Sequence, residues 1–510
     1  MSHGRKPSGN SFNRVIFVAI AVAVQAGWIL LKIVEWNAYS QWFSMAFRLL
    51  SVVVVLKLYS SHTNAAMKMS WMILILVMPV MGMSLYLMCE LLGASVIRKR
   101  LSASRRNLQN NLSQGKQTLN RLELWDASAG NQSRYLWYNT HWPVYENTKV
   151  DYFGQCKDVL DAMKADLERA EHFIFMEYFI VEDKSSFREI EEILVRKARQ
   201  GVDVRFMYDD IGSMGYVNMA FAKRLNQEGI QCHAFNPAMP LLNIFLNNRD
   251  HRKITVVDGK VGYTGGYNLA DAYFDRAHPY GEWKDTGLRL EGEAVKSLTT
   301  AFFELWNLRY KSWEDVSKFL KVVHTVPSEG FVQPYDDNPL GRDRVAEDVY
   351  LNLISQATKS VYFVTPYLII TDEVSRALGL AAKRGVDVRV ITPGIPDKKI
   401  IYAVTRSYYA GLARQGVRIF EYTPGFCHAK IGIADGKAVS IGTSNLDYRS
   451  LYHHFENNVF LYGCKAVEDI ASDIDGMFPR CREVTEHYRT GRGAFLRLWQ
   501  CILRLFAPLM

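Results

Sequence analysis

Two copies of one short pattern contain the residues of this sequence best suited to chemistry. The pattern is H-x-K-x4-D-x6-G-[GT]-x-N, and its copies begin at His251 and His428. A histidine can attack phosphorus or transfer a proton, a lysine can balance the charge of phosphate oxygens, and an asparagine amide can donate hydrogen bonds to them. Brought face to face, the two copies would form a phosphate site that uses no metal and no cofactor.

Each member of the two copies receives a predicted role. The predicted catalytic residues are His251, Lys253, Asp258, His428, Lys430 and Asp435. The predicted substrate-binding residues are Asn268, Asn445, Gly266 and Thr443. Asp258 and Asp435 also have a purely structural interpretation, because an Asp-Gly turn between two strands explains them. We expect each imidazole to be oriented by a carboxylate, with Asp285 serving His251 and Glu456 serving His428. Glu282 is the alternative partner for His251.

The residues around each copy predict a β-hairpin that positions these side chains. Apolar strands are predicted at 254–257 and 431–434, followed by Asp-Gly turns and return strands at 261–264 and 438–441. Because successive side chains of a strand point to opposite faces, the histidine and lysine of each copy share a face. The asparagines then follow the return strands, where glycines let backbone N–H groups approach a phosphate.

The chain around the hairpins is also repeated. Strand, helix and strand patterns at 172–180, 186–200 and 202–208 recur at 360–368, 372–384 and 386–391, and Gly-Val-Asp-Val-Arg starts at both Gly201 and Gly385. Strands alternating with helices predict a mixed α/β sheet in each half. The predicted fold class is α/β, with two pseudo-repeated mixed-sheet domains at 133–326 and 327–510. A linker rich in Pro, Gly and Asp is predicted at 327–344.

The first hundred residues read as a membrane anchor, residues 1–95. Long runs with few charges predict transmembrane helices at about 15–31, 42–59 and 71–92. The first run could instead be a signal peptide, and the second, which carries Arg48 and Lys57, could be a re-entrant segment. A basic stalk is predicted at 96–132. At the C-terminus, residues 494–505 form an amphipathic pattern suited either to a membrane surface or to packing on the body.

Charge and cysteine content limit the partners and the compartment. The net charge of +9 indicates an anionic partner, either nucleic acid or an anionic membrane surface, and composition alone does not choose between them. The seven cysteines form no C-x-x-C pair, which predicts reduced thiols and excludes a zinc site of that type. With the basic cluster at 98–106, this favours a catalytic body on the cytoplasmic side of a cell membrane, carried by a multi-pass anchor.

From about residue 50 onward the chain resembles the phospholipase D superfamily, and within it the bacterial cardiolipin synthases. Besides the doubled pattern, the motifs that carry the likeness are Tyr208-Asp209-Asp210-Ile211-Gly212, Trp283-Lys284-Asp285, Thr365-Pro366-Tyr367, Arg406-Ser407-Tyr408-Tyr409 and Asn445-Leu446-Asp447-Tyr448-Arg449-Ser450. Two features depart from the family pattern: Asp250 stands where the family usually has asparagine, and an extra apolar segment precedes the membrane hairpin.

The resemblance implies a complete reaction. Two phosphatidylglycerol molecules would become cardiolipin and glycerol, with no nucleotide or cofactor. Because the two copies are nearly symmetric, the sequence leaves the nucleophile open; we take His251 to attack phosphorus and His428 to protonate the departing glycerol. The implied partners are phosphatidylglycerol and the lipid bilayer, with no nucleic acid. Oligomeric state stays open.

Three other functions fit parts of the sequence. A phospholipase D hydrolase would use the same residues and admit water. A nuclease would suit the positive charge, although a membrane anchor argues against it. A non-enzymatic membrane scaffold would have no need to keep both histidines, both lysines and both asparagines.

Overall fold

The computed structural model describes residues 38–61, 64–86, 94–237, 248–309, 314–321, 324–490, 500, 503–505 and 507. The predicted transmembrane helix at 15–31 and most of the amphipathic pattern at 494–505 fall outside these residues. The described helices are α1 (Ala38–Ser60), α2 (Ala65–Val77), α3 (Pro79–Tyr86), α4 (Ala94–Gln109), α5 (Lys116–Trp125), α6 (Ala127–Thr140), α7 (Cys156–Glu168), α8 (Ser185–Arg199), α9 (Phe221–Gln227), α10 (Val295–Trp306), α11 (Ser317–Leu320), α12 (Val345–Gln356), α13 (Asp372–Lys383), α14 (Lys399–Arg414), α15 (Tyr448–Tyr452), α16 (Lys465–Met477) and α17 (Thr485–Arg489).

The strands fall into two sets, one from each half of the body. Those of the first half are β1 (Thr148–Phe153), β2 (Phe173–Tyr178), β3 (Asp203–Asp209), β4 (Gln231–Phe235), β5 (Arg249–Asp250), β6 (Lys253–Val257), β7 (Val261–Gly265), β8 (Glu282–Lys284) and β9 (Gly287–Gly292). Those of the second half are β10 (Phe331–Asp337), β11 (Ser360–Val364), β12 (Leu368–Ile369), β13 (Asp387–Pro393), β14 (Arg418–Tyr422), β15 (Gly425–Cys427), β16 (Ile431–Ala434), β17 (Ala438–Gly442), β18 (Leu446–Asp447), β19 (His454–Tyr462) and β20 (Cys481–Glu483).

Each half contains one large mixed sheet, as the repeat predicts. The first has strand order β1-β9-β7-β6-β2-β3-β4, and the second runs β10-β19-β17-β16-β11-β13-β14-β20. In both, a parallel pair connected by a helix (β2-α8-β3 and β11-α13-β13) adjoins the hairpin of the repeated pattern, β6-β7 or β16-β17. The predicted strand and helix positions are therefore confirmed, and both hairpins lie inside their sheets.

Two short strand pairings join the halves. β5 pairs in parallel with the start of β19, and β8 pairs in parallel with β15. Each pairing places a first-half strand beside a second-half strand through backbone hydrogen bonds, which set strand register closely. Since β5 and β15 end immediately before His251 and His428, these pairings fix the positions of the two histidines.

Two predicted connectors are structured instead. The stretch predicted as a basic stalk forms α4, α5 and the start of α6, and Leu108, Leu119 and Leu122 are buried. The stretch is polar and basic, but its leucines recur at helical spacing and supply an apolar stripe. The predicted linker at 327–344 contains β10, which pairs along its length with β19. Its Pro and Asp residues suggested a loop, and pairing with a distant strand overrode that local preference.

The N-terminal helices α1, α2 and α3 share a small apolar cluster of Leu58, Ile75 and Met83. The predicted span at 42–59 corresponds to α1, whereas the one at 71–92 is interrupted where α2 ends at Val77 and α3 begins at Pro79. Within the part of the chain that the structure describes, no helix combines the length and the apolar character needed to cross a bilayer.

Candidate active site

His251 is held by a strand of the second half. Its backbone N–H donates to the carbonyl oxygen of Phe455 at 2.9 Å, which continues the pairing of β5 with β19. The next residue of β19 is Glu456, and both of its carboxylate oxygens lie 2.9 Å from Nδ1 of His251. A carboxylate there holds the proton on Nδ1, so that Nε2 carries the free lone pair.

His428 is held by a strand of the first half. Its backbone N–H donates to the carbonyl oxygen of Lys284 at 2.6 Å, continuing the pairing of β15 with β8. Asp285 follows β8 directly, and its Oδ2 lies 2.6 Å from Nδ1 of His428. The two histidines thus have equivalent surroundings, each with a carboxylate on Nδ1 and a backbone bond to the other half.

The predicted pairing of carboxylates and histidines was wrong, although the four residues were right. The structure pairs His251 with Glu456 and His428 with Asp285. The cause is the strand pairing between the halves. Each histidine follows a strand that pairs with a strand of the other half, and this places it beside the carboxylate of that other half. Glu282, the alternative considered from the sequence, accepts a hydrogen bond from the Tyr422 hydroxyl at 2.7 Å instead.

The two lysines lie beside the histidines, as the strand spacing predicts. Lys253 Nζ donates to the carbonyl oxygen of His251 at 2.6 Å, and Lys430 Nζ lies 2.6 Å from Nδ1 of His428. Burial lowers the pKa of Lys253 to about 7, and burial also lowers the pKa of Lys430. Burial disfavours the charged form of both lysines, and a negatively charged phosphate nearby would offset that effect. Lys253 and Lys430 are therefore suited to bind a phosphate group between them.

Both imidazoles are buried, and burial favours their neutral form. Burial lowers the pKa of His428 to about 4, and burial together with the charge on Lys253 lowers that of His251 well below its usual value. The charges of His428 and Lys430 also act on His251, so the two copies of the pattern share one electrostatic environment. Among the described residues, this arrangement brings two histidines and two lysines into one site.

Comparison with known proteins decides the family. A sequence profile described as "Cardiolipin synthase, PLD-like domain" matches residues 163–306 and 350–478. A cardiolipin synthase of Halalkalibacterium halodurans is 32% identical over 480 residues, covering 92% of this chain and 94% of that protein. The chain belongs to the cardiolipin synthase family. An uncharacterized protein of Streptococcus mutans is 39% identical over 458 residues, covering 89% of this chain and 99% of that one.

The fold of this cardiolipin synthase family member also has a solved counterpart. The crystal structure of phosphatidylserine synthase from Haemophilus influenzae aligns with a TM-score of 0.55 at 13% identity, covering 74% of this chain and 98% of that one. At such low identity the likeness concerns the fold alone, and it supports two PLD-like halves in one chain.

Asp258 and Asp435 lie at the far end of the hairpin strands from the histidines and lysines. Asp258 accepts hydrogen bonds from the backbone N–H groups of Glu171, His172 and Phe173 at 2.8–2.9 Å. Asp435 does the same for Thr358, Lys359 and Ser360, at 2.7–3.2 Å. We therefore correct their assignment as catalytic residues: in this family member they tie each Asp-Gly turn to the start of the neighbouring strand.

The side chains predicted to bind substrate already contact protein groups. The hydroxyl of Thr443 donates to Glu456 and so supports the carboxylate that orients His251. The side-chain nitrogen of Asn268 lies 2.8 Å from the Tyr273 hydroxyl, and that of Asn445 lies 3.1 Å from Asp447. Substrate binding by the asparagines stays a prediction, whereas Thr443 gains a positioning role that the sequence did not indicate.

Arg252 is a site residue that the sequence analysis missed. It lies between His251 and Lys253 and, by strand alternation, its side chain points to the opposite face, where it is fully buried. Its guanidinium contacts Glu177 and Asp336, each at 2.6 Å. It therefore anchors the strand that carries the first pattern to β2 and to β10 of the other half.

Asp250, the residue that departs from the family pattern, is buried and compensated. Its Oδ1 accepts from the backbone N–H of Arg252 at 3.2 Å and lies 3.6 Å from that guanidinium. Burial raises the pKa of Asp250, and the positive charge of Arg252 opposes this shift. The extra carboxyl group thus lies buried beside the positive charge of Arg252.

Gly266 makes room for the carboxylate that orients His428, which gives a testable consequence. A Cβ at this position would lie 2.1 Å from Oδ1 of Asp285. We expect Gly266→Ala to displace Asp285 and to lower the rate of lipid turnover about 10- to 100-fold, as loss of an orienting partner typically does. The measurement is the turnover number with saturating lipid in detergent micelles.

Gly411→Ala is the matched control for this substitution. Gly411 lies within α14, and an added Cβ there meets no atom within 4 Å. Both variants add one methyl group, but only the first displaces a site residue. Equal activities for the two variants would show that Asp285 does not need its observed position.

Proposed function

We propose that this protein joins two phosphatidylglycerol molecules to give cardiolipin and glycerol, through a covalent phosphohistidine. The observation that carries the proposal is the pair of buried histidines, each with a carboxylate on Nδ1 and a lysine beside it. Membership of the cardiolipin synthase family supports the choice of lipid substrates. Such a site supplies a nucleophile, a proton carrier and compensation for phosphate charge.

The proposed reaction has two steps that balance. In the first, His428 begins as the imidazolium. Nε2 of His251 forms a bond to the phosphorus of one phosphatidylglycerol, the bond to the glycerol oxygen breaks, and His428 gives its Nε2 proton to that oxygen and becomes neutral. In the second, His428 removes the proton from the primary hydroxyl of another phosphatidylglycerol. That oxygen attacks phosphorus, and the N–P bond to His251 breaks. One phosphodiester replaces another, so no nucleotide is consumed.

The lysines and carboxylates hold these groups in the states that the steps need. Glu456 keeps the proton of His251 on Nδ1, which leaves Nε2 of His251 free to attack phosphorus. Asp285, together with the negative charge of the bound phosphodiester, favours the imidazolium form of His428 that the first step requires. Lys253 and Lys430 supply positive charge to the phosphate oxygens as the pentacoordinate transition state forms. Water must be kept out of the phosphohistidine stage, because hydrolysis there would release phosphatidic acid instead.

We also propose that the protein works at a bacterial membrane, with its catalytic body on the cytoplasmic side. α1 exposes Leu49, Val53 and Leu56, each at least 60% accessible, which is unusual for apolar side chains facing water. The net charge of +9 suits a surface of anionic lipids. The described cysteines are free thiols, in keeping with a reducing compartment.

Product analysis tests the proposal directly. We expect the purified full-length chain, incubated with phosphatidylglycerol in detergent micelles, to form cardiolipin and glycerol in a 1:1 ratio, because each transfer releases one glycerol. Mass spectrometry of the lipids and an enzymatic glycerol assay measure both products.

The double variant His251→Ala/His428→Ala controls for contaminating lipases in the same assay. If phosphatidic acid were the main product, the activity would be that of a phospholipase D hydrolase and not that of a synthase. Turnover that survives in the double variant would place the chemistry elsewhere. Addition of a chelator is expected to leave the rate undiminished, since the residues at the site supply every group that the steps require.

A further inference from the structure

A third histidine adjoins the His251–Glu456 pair and has no role in the proposed reaction. His454 opens β19, two residues before Glu456, and is only 6% exposed. Its ring centroid lies 5.3 Å from that of His251. Neither ring nitrogen of His454 has a hydrogen-bond partner among the described residues. A buried imidazole with both nitrogens unsatisfied is costly, which indicates that something else binds there.

The geometry of the three side chains matches a metal site. His251, His454 and Glu456 each offer one ligand atom, and these atoms all lie within 4.8 Å of one another. The shortest approach of His454 to the carboxylate, from Nδ1 to Oε1, is 3.7 Å. Two imidazoles and one carboxylate form a ligand set that proteins use for zinc. Over the described part of the chain, the pair His428 and Asp285 belongs to no such group.

We propose that His251, His454 and Glu456 form an inhibitory site for a divalent transition-metal ion, of which zinc is the best-fitting example. The ion would bind Nδ1 of His251 in place of the hydrogen bond to Glu456. The single proton of that neutral imidazole would then reside on Nε2. An imidazole protonated at Nε2 can neither attack phosphorus nor accept a proton, so the metal-bound enzyme is inactive.

Nearby positive charges oppose the binding of a metal cation at these three side chains, and they are partly compensated. Arg249 contacts Asp209 at 2.8 Å, so its charge is paired. Asp447 counters the charge of Arg449. The carboxylate of Glu456 belongs to the metal site itself. Of the lysines that act on His251, Lys253 donates to a backbone carbonyl rather than to a ring nitrogen of the site, and Lys430 lies beside His428.

The inhibitory effect rests on the proposed role of His251 in the reaction, whereas metal binding does not. We therefore separate the two in the experiment. Binding is measured by isothermal titration of the full-length chain with zinc chloride in a neutral detergent, without lipid. Inhibition is measured as the rate of lipid turnover at each zinc concentration, divided by the zinc-free rate of the same variant.

We expect one zinc ion to bind per chain and turnover to fall as the site fills. His454→Asn removes one ligand, and we expect it to weaken both zinc binding and inhibition by about 10- to 100-fold or more. His453→Asn is the matched control, because it changes the neighbouring histidine outside the group and is expected to retain both effects. Magnesium, which prefers oxygen ligands, is expected not to distinguish the variants.

Two outcomes would overturn the inference. Equal zinc affinity in His454→Asn and the unaltered chain would show that the ion binds elsewhere on the protein. An absence of binding at micromolar zinc would show that the three side chains form no zinc site. Zinc binding that depends on His454 but leaves turnover unchanged would keep the metal site and would instead reject the role proposed for His251. Circular dichroism of each variant establishes that it is folded.

Discussion

Replacing either His251 or His428 by alanine is expected to lower the rate of cardiolipin formation roughly 10⁴-fold. One substitution removes the nitrogen that bonds to phosphorus, and the other removes the group that protonates the leaving glycerol. Lipid binding should persist, because Lys253 and Lys430 remain. The measurement is initial turnover of labelled phosphatidylglycerol, with the exposed His487→Ala as a control that is expected to keep full activity.

The same two variants assign the roles of the histidines. A phosphatidyl donor with a nitrophenol leaving group needs no proton on departure, so it bypasses the acid. With this donor, His428→Ala should still form a phosphohistidine, detectable by acid-labile labelling of the chain, whereas His251→Ala should not. Labelling of His251→Ala but not of His428→Ala would exchange the two roles. Full turnover in either variant would indicate a scaffold or an unrelated site.

Replacing Glu456 by glutamine is expected to lower turnover by about 10²- to 10⁴-fold. A glutamine amide can donate a hydrogen bond to Nδ1 of His251, which forces the imidazole proton onto Nε2 and removes the reactive lone pair. The side chain keeps nearly the same volume, so the effect reports the tautomer rather than packing. The rate is measured with both the natural donor and the nitrophenol donor.

The choice of leaving group distinguishes the pairing seen in the structure, Glu456 with His251 and Asp285 with His428, from the reverse pairing. If Glu456 orients His251 and His251 is the nucleophile, Glu456→Gln slows phosphohistidine labelling by both donors. Asp285→Asn, which acts on His428, should slow the natural donor and leave phosphohistidine formation from the nitrophenol donor nearly unaffected. The reverse pattern would restore the pairing expected from the sequence, with Asp285 on His251. Similar loss with both donors in both variants would mean that the carboxylates support the fold instead.

Much of the fold could be predicted because it follows from local patterns. Alternating apolar residues, Asp-Gly turns and the repeated strand–helix–strand order define both hairpins and their neighbours, and the structure confirms these elements. At the turns, Asp258 and Asp435 have φ values of 52° and 53°, the left-handed conformation that such turns require. The wrong predictions concern segments whose structure depends on partners distant in sequence. One example is β10, which was predicted as a linker and pairs with β19, more than a hundred residues later.

The sequence by itself determined the candidate histidines, lysines and asparagines of the site, since their doubled spacing is visible without coordinates. It also placed Asp285 and Glu456 near them. Only the tertiary structure decided which carboxylate meets which histidine, that Thr443 supports Glu456, and that His454 lies beside His251 and Glu456. The physical reason is that β5 pairs with β19 and β8 with β15, so each histidine is held by residues of the opposite half. Spacing along a chain specifies which side chains share a strand face, but it carries no information about strands that meet across two domains.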